Sequence, residues 1–149
     1  MELTDSQTVW SLWVKDYLDD PTWRDDVGIK QVMYGDQDKI PVVPFVCVEP
    51  SNKRREFNGA PRRTRIDFEL YVLVYYGMVQ DTQLNRAEVE RLAEVVETRL
   101  HHALTCDGLV INSLVASVES GAANKGGALM RATRLTFTAQ SQVLLPSGV

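Results

Sequence analysis

The sequence has little of what marks membrane, secreted or disulfide-stabilised proteins. It contains two cysteines, Cys47 and Cys106, in 149 residues. Two thiols so far apart predict free thiols in a reducing compartment, with a single disulfide as the alternative. No apolar run approaches the roughly 20 residues that a helix needs to cross a bilayer. The N-terminal segment MELTDSQTVW has neither the positive charge nor the apolar core of a signal peptide, so we expect none.

The sequence is also poor in groups that perform catalysis or bind metals. Its two histidines, His101 and His102, are adjacent, so on a helix they point about 100° apart and do not chelate one ion together. Neither lies in a nucleophile-elbow context. The run at 121–127 places Lys125 before its last glycines, whereas a phosphate-binding P-loop ends in Gly-Lys-Ser/Thr and leads into a helix. We therefore predict no catalytic residue, no metal site and no cofactor.

The chain is expected to fold as one domain. Its composition is that of a globular protein, with 44% hydrophobic and 24% charged residues. A chain of this length buries roughly two-thirds of its unfolded surface, which is enough for a core without disulfides or metals. Residues 1–149 are therefore predicted to form a single domain, with 145–149 frayed.

Two segments have the periodicity of amphipathic helices. Residues 4–18 carry apolar side chains at three- and four-residue spacing, and a second helix is predicted from Asp81 or Thr82 to about Leu104. The first stripe consists of Val9, Trp10, Trp13, Val14, Tyr17 and Leu18. It is expected to pack on a sheet. Because Trp and Tyr are favoured in protein interfaces, the aromatic members Trp10, Trp13 and Tyr17 are also candidates for contact with a neighbouring subunit.

The other patterned segments predict strands. They lie at 29–34, 42–49, 65–76, 109–119 and 129–144. Pro44 cannot donate a ladder hydrogen bond, so its strand is expected to be an edge strand or to carry a bulge. The glycine-rich stretch 120–128 is predicted to be a flexible linker. This order predicts an α+β fold: an antiparallel sheet of four to five strands, with the N-terminal helix and one long helix packed on it.

A basic segment joins two of the predicted strands. It holds six positive charges within thirteen residues, against the single negative charge of Glu56: Lys53, Arg54, Arg55, Arg62, Arg63 and Arg65. Since the whole chain carries −4, the remainder carries −9. Asn58-Gly59 is a strong turn pair near the centre of the segment. We therefore predict a long hairpin at residues 51–64, the basic arm, which projects from the sheet with Phe57 near its tip.

A basic arm on an acidic body indicates an acidic partner surface. Three interpretations remain open: a solvated run of charges, contact with another subunit, or contact with nucleic-acid phosphates. Nucleic-acid modules usually show a basic helix or aromatic residues interleaved with the charges. This arm has only Phe57, and the chain has a pI of about 5.2. Contact with protein is therefore favoured over contact with DNA, and the candidate binding residues are the six cations together with Phe57.

A characteristic order of segments extends from Val42 to Leu145. A strand ending in Glu-Pro precedes the polar excursion NKRREFNGAPRR, which is followed by a long alternating strand, one long helix and a hairpin with a glycine loop. This order resembles the small neck and tail-terminator proteins of tailed bacteriophages. The blocks RRTRIDFELYVLVYYG and ESGAANKGGALMRATRLTFT are the most similar to that family.

The resemblance implies a structural virion protein without enzymatic activity. Such proteins form a ring, usually of six subunits, that caps the tail tube, ends its polymerisation and provides the surface to which the head attaches. The implied partners are further copies of the chain, a tail tube or sheath protein and a head–tail connector protein, with DNA passing through the channel without specific binding and no membrane partner. The implied location is the virion neck, assembled in the host cytoplasm.

Two alternatives accompany this interpretation. Within the same class, the chain is a head-completion, connector or baseplate ring protein. In a different class, it is a nucleic-acid-binding module that uses the basic arm.

Overall fold

The computed structural model describes residues 3–35, 42–57, 63–78, 86–125 and 127–144, with the backbone alone at 3–6, 52–57, 63–65, 78, 86 and 142–144. The described chain forms these helices and strands: α1 (Leu3–Leu18), α2 (Pro21–Val27), β1 (Gln31–Tyr34), β2 (Phe45–Phe57), β3 (Arg63–Met78), α3 (Arg86–His101), β4 (Asn112–Lys125) and β5 (Ala128–Leu144). The predicted frayed segment at 145–149 lies outside the described residues.

The strands form one sheet in the order β1-β2-β3-β5-β4. The predicted α+β class is confirmed, and β3 occupies the centre of the sheet as its largely apolar sequence requires. One detail is wrong: β1 pairs parallel with β2, with Gln31 opposite Phe45 and Tyr34 opposite Val48, so the sheet is mixed. A period-two pattern identifies a strand but carries no information on its direction.

The main core lies between the helices and one face of the sheet. Trp10 of α1 is completely buried there and stacks between Phe68 and Phe137, with ring centroids 5.7 and 5.6 Å away. Its Nε1 donates a hydrogen bond to Cys106 Sγ over 3.2 Å. Burial raises the pKa of the Cys106 thiol, and hydrogen bonds with Trp10 and Ser113 partly offset that rise. The buried members of the α1 stripe, Trp10, Val14 and Leu18, thus pack in the core against the sheet as predicted.

A smaller cluster covers part of the opposite sheet face. Phe45 stacks on Tyr75 with ring centroids 4.7 Å apart, and Cys47 and Met130 are buried beside them. Both cysteines are free, as predicted. Because Cys47 belongs to this cluster and Cys106 to the main core, the sheet separates the two thiols.

Pro44 and the glycine-rich stretch 120–128 have other structural roles than predicted. Pro44 lies just before β2, so the N–H group that proline lacks is not needed for hydrogen bonds between strands. β2 is not an edge strand, because it lies between β1 and β3. The bulge falls instead between Pro50 and Lys53. The stretch 120–128 is mostly strand: Lys125 pairs with Ala128, and the turn between them includes Gly127 at a φ of 82°.

The helices differ from prediction at their ends. α2 was missed, although Asp20 caps it and Pro21 occupies its first turn, the usual helix-start signature. The described part of α3 ends at His101, three residues before Leu104, and its predicted cap at Asp81 or Thr82 lies outside the described residues.

After α3 the chain turns inward, and Ser113 Oγ donates to the carbonyl oxygens of Ala103 and Leu104 at 3.1 and 2.9 Å. These bonds satisfy carbonyls that a longer helix would use itself.

Candidate assembly interface

The basic arm is a continuation of the sheet and not a separate loop. β2 and β3 remain paired to its outer part, where Arg54 lies opposite Asp67, Glu56 opposite Arg65, and Phe57 opposite Thr64. On the other side of β3, Thr64 pairs with Val143 of β5. Three strands therefore support the arm, which makes its backbone stiffer than that of an isolated hairpin.

The structure brings most of the predicted arm residues onto these strands. Lys53, Arg54, Arg55 and Phe57 lie on β2, and Arg63 and Arg65 lie on β3. Their side chains lie outside what the structure describes, as does Arg62 with the whole turn at 58–62.

The part of the basic arm that extends beyond the core is shorter than the predicted arm at 51–64. Ile66 and Phe68 of β3 are buried in the main core, so the arm leaves the core only beyond Ile66. β4 begins at Asn112, which is level with Gln140 of β5 and, through it, with Asp67 of β3. Beyond that level β2, β3 and β5 alone continue among the described strands. The arm is thus a three-stranded tongue at one end of the sheet.

Two arginines of α3, Arg91 and Arg99, connect the three helices through hydrogen bonds to main-chain carbonyl oxygens. Arg99 lies over the rings of Tyr17 and Trp23, 4.1 and 5.0 Å from their centroids. Its Nη2 donates to the Tyr17 carbonyl oxygen at 2.9 Å and lies 3.5 Å from Asp20 Oδ2. Tyr17 Oη in turn donates to the Arg99 carbonyl oxygen at 2.9 Å. Arg91 Nη2 donates to the Val27 carbonyl oxygen at 3.2 Å, which holds α2 against α3.

An open cleft of about 430 Å³ lies over these contacts. It is lined by Tyr17, Trp23, Arg91, Glu94, Val95, Thr98, Arg99 and His102. Sequence analysis missed this feature because it depends on α2, which brings Trp23 beside α3. The Asp-Pro start of α2 was the available signal.

The helical layer carries a net negative charge. Residues 15–30 and 87–102 together contain nine Asp or Glu residues and five Lys or Arg residues, a net charge of −4. Asp25, Asp26 and Glu94 are exposed on this layer, as are Arg91 and Lys30.

The aromatic interface candidates of α1 differ in accessibility. Trp10 has no exposed surface, so within the folded chain it is unavailable to a neighbour. Trp13 and Tyr17 are half-buried and stack on each other, with centroids 4.9 Å apart. Among the side chains of α1 that the structure describes, the exposed large apolar ones are Val9 and Leu12.

A second exposed apolar region surrounds the start of β4. Leu104, Leu109, Ile111 and Leu114 are all exposed and follow one another in the turn after α3 and in β4. β4 is the last strand of the sheet. Apolar patches next to a strand edge are typical of protein contact surfaces.

The two histidines are exposed, whereas Lys125 is buried. His101 Nε2 accepts a hydrogen bond from the Val115 amide at 3.4 Å, and His102 lines the cleft. Lys125 is buried at the end of β4, with Nζ 5.9 Å from the centroid of the Tyr75 ring. Within the described ranges, no three His, Cys, Asp or Glu side chains lie close enough to hold a metal ion. No helix among the described residues is long and apolar enough to span a membrane.

Comparison with known proteins identifies the fold but no family. No protein-family model and no curated protein matches the chain. Among solved structures, a chain from the virion of a native gene transfer agent particle is similar, with a TM-score of 0.57 and 15% sequence identity. The similarity covers 87% of this chain and 92% of that chain. The two chains therefore share a fold over nearly their whole lengths.

Proposed function

We propose that this protein is a structural component of a phage-like virion that forms a ring at the end of the tail tube. The ring stops polymerisation of the tube and offers the surface to which the head attaches. The observation that carries the proposal is the fold shared over 87% of this chain with a virion-particle chain. The assignment to the tail terminus rests on the resemblance of the segments from Val42 to Leu145 to tail-terminator proteins.

The distribution of charge supports ring formation. The basic arm is built on β2 and β3, whereas the acidic layer is built on the helices. A contact between two different surfaces of identical subunits is heterologous, and such contacts generate closed rings when the rotation between subunits closes. The stiff three-stranded base of the arm lowers the entropy lost when it docks.

The same distribution supports passive passage of DNA. Outside residues 51–65 the chain carries −9, and like charges keep the DNA backbone from adhering to a channel wall. In this proposal the protein is not an enzyme, its partners are other virion proteins, and it resides in the neck of the particle.

Charge reversal in the basic arm tests the proposal. The variant Arg54→Glu, Arg55→Glu, Arg62→Glu, Arg63→Glu should remain folded, because arginine side chains are almost never fully buried unless they are paired. It should lose ring formation and tail completion, because reversed charges repel an acidic neighbour. Thermal unfolding by circular dichroism and negative-stain images measure the two effects. Normal tails containing this variant would contradict the proposal.

The two alternative functions predict different binding partners for the purified protein. A nucleic-acid-binding module would bind DNA with a steep salt dependence, and the arm variant would lose that binding. A head-completion or baseplate ring would form the same rings but would bind isolated portal or baseplate complexes instead of tube ends.

A further inference from the structure

The outer edge of β4 carries backbone groups that the fold does not use. β4 is the last strand of the sheet, and among the described residues its segment 117–124 makes hydrogen bonds to β5 alone. Alternate residues of a strand direct their N–H and C=O groups to opposite sides, so every second residue of this segment directs them away from the sheet. We call the segment 117–124 the open edge. Five of its residues are exposed: Glu119, Ser120, Gly121, Ala122 and Asn124.

The beginning of β4 is protected, whereas the open edge is not. The Val115 amide donates to His101 Nε2 at 3.4 Å, and a bulge lies between Val115 and Ser117. Bulges, prolines and lysines are the usual means by which proteins block an edge strand. The open edge contains no proline and no lysine. Its one charged residue, Glu119, is already paired with Arg134 Nη2 at 2.9 Å, so the open edge is suited to pairing with a further strand.

A pocket of about 630 Å³ lies beside the open edge on the side of the helices. Arg131, in its lining, is exposed and makes no ion pair or hydrogen bond with any side chain that the structure describes. Glu90, in the same lining, has an interaction partner of its own. The pocket therefore has room for a large side chain and an unpaired cation that favours a carboxylate. Its full lining is Val89, Glu90, Ser120, Gly121, Ala122, Arg131 and Ala132.

A second pocket, of about 280 Å³, lies along the same stretch of the open edge. Leu73, Ala123 and Ala132 give it an apolar wall. Residues 119, 121 and 123 line it and share one face of β4, because side chains alternate along a strand. A Cβ added to Gly121 would meet no atom within 4 Å, so the space beside Gly121 is open. A strand paired with the open edge would place its side chains alternately on the two faces, and each pocket would receive one of them.

The described edge strands of this chain do not fit these pockets. β1, at the other end of the sheet, has four residues, and its Val32 and Met33 are buried in the two cores of its own subunit. The open edge of a second copy would bring Ser120, Gly121 and Ala122, whose small side chains would leave both pockets empty and lose packing contacts. The pockets therefore favour a segment of a different protein, with larger side chains at alternate positions.

We infer that the open edge of β4 accepts an extended segment of another protein as an additional strand. The added strand directs a carboxylate toward Arg131 and an aliphatic side chain into the pocket beside Leu73. In this mode of recognition the main-chain hydrogen bonds supply affinity and the pockets supply specificity. The added strand runs antiparallel to β4, because antiparallel pairs are more stable per residue than parallel pairs. The inference does not depend on the proposed ring.

A fluorescent peptide with the sequence Thr-Val-Glu-Val-Glu-Val-Thr tests the open edge, because it carries carboxylates on one face and valines on the other. The native protein should bind it saturably in fluorescence anisotropy, and hydrogen–deuterium exchange should slow at amides within 117–124. Replacement of both glutamates of the peptide by lysine should weaken binding about tenfold, because lysine and Arg131 repel each other.

Backbone methylation of the peptide tests strand pairing itself. Only one edge of the added strand bonds to β4. Of two peptides methylated on alternate backbone amides, one should therefore lose binding and the other should keep it. Equal binding by both methylated peptides would overturn the inference.

Variants that fill the pockets locate the binding site. Ala122→Phe and Gly121→Val add side chains beside the open edge, and each should weaken peptide binding about tenfold because the added atoms clash with the guest side chain. Both variants should stay folded, because both positions are exposed. Ala116→Phe is the matched control, since it makes the same change at an exposed residue in the bulge of β4. The control should bind the peptide normally, and thermal unfolding checks the fold of all three variants.

The outcomes separate this site from the proposed ring. Absence of saturable binding to the native protein, or equal binding by Ala122→Phe, would overturn the inference. Slow exchange at 117–124 in the native protein alone, lost in Ala122→Phe, would also overturn it, because a second copy would then occupy the open edge. Ala122→Phe should form the same rings as the unmodified protein. If neither forms rings, the proposed function fails while the peptide result stands.

Discussion

At the scale of single residues, Trp10 does most to join the helical layer to the sheet. It is completely buried, stacks on Phe68 of β3 and Phe137 of β5, and donates a hydrogen bond to Cys106. One side chain thus connects α1, two central strands and the turn after α3. The periodicity of α1 predicted that Trp10 faces the sheet, but it also placed Val9 in the buried stripe, where the structure leaves it exposed.

Truncation of Trp10 should be among the most damaging single changes. Trp10→Ala is expected to lower the free energy of unfolding by about 3–5 kcal/mol, because it removes a buried aromatic side chain and leaves a cavity. Trp13→Ala should cost clearly less, because Trp13 is only half-buried. Urea denaturation of both variants measures the difference. Equal losses would contradict the central position assigned to Trp10.

Tyr76 gives the fold a dependence on alkaline pH. Its hydroxyl donates to Thr133 Oγ1 at 2.9 Å, and Thr133 lies 3.0 Å from Ser120 Oγ. Burial raises the pKa of Tyr76 above its usual value, and the hydrogen bond with Thr133 partly lowers it again. Because the folded pKa exceeds the unfolded one, folding favours the neutral phenol. The resulting stability is complete below about pH 10 and is lost as the pH rises through the folded pKa.

Comparison of the native protein with Tyr76→Phe tests this dependence. At neutral pH the variant should be less stable by about 1 kcal/mol, because it lacks the hydrogen bond. Above about pH 10 this difference should shrink, because only the native side chain can ionise on unfolding. Urea unfolding between pH 8 and pH 11 measures both free energies. A difference that stays constant over this range would rule out the assigned role of Tyr76.

At the scale of secondary-structure elements, the β4–β5 hairpin shows why composition alone misled the prediction. Residues 120–125 contain small residues and a glycine, which favour a linker, yet they pair with β5 as far as Lys125 opposite Ala128. Cross-strand pairing and the burial of Met130 and Ala132 outweigh weak local propensity. Gly127 is the described residue of the turn, since β4 ends at Lys125 and β5 begins at Ala128.

Replacement of Gly121 and of Gly127 by alanine should have different effects on the stability of the fold. Gly127 has a φ of 82°, which alanine adopts only with strain, so Gly127→Ala should lower the free energy of unfolding by about 1–2 kcal/mol. Gly121 lacks a positive φ, and an added Cβ would meet no atom within 4 Å, so Gly121→Ala should be neutral or slightly stabilising. Thermal unfolding of the pair measures the contrast. Equal effects would contradict the assigned turn.

Other elements mark the limits of sequence reasoning. The strand at 29–34 and both amphipathic helices were found from their apolar patterns, because these patterns reflect one buried face. The parallel direction of β1 was not found, since direction depends on where the chain before and after the strand packs. α2 has only seven residues, which is too short for periodicity to identify, and its cap signal coincides with the end of α1.

At the scale of the whole molecule, the sequence predicted the layers better than the candidate interface. The α+β class and the sheet-packed helices follow from hydrophobic patterning, and the basic arm follows from its charge. The cleft and the hydrogen bonds of Arg91 and Arg99 to carbonyl oxygens of α2 and α1 did not follow, because they depend on how α1, α2 and α3 meet. The separation of a basic tongue from an acidic helical layer is therefore visible only once the chain is folded.

The most direct test of the ring proposal is native mass spectrometry of the purified protein and of its four-residue arm variant, combined with negative-stain images of the same samples. The unmodified chain should give one dominant closed oligomer, six subunits by the resemblance, seen as rings with a central opening. The variant Arg54→Glu, Arg55→Glu, Arg62→Glu, Arg63→Glu should give a folded monomer. An unmodified protein that stays monomeric at every concentration tested, or a variant that forms the same rings, would contradict the account.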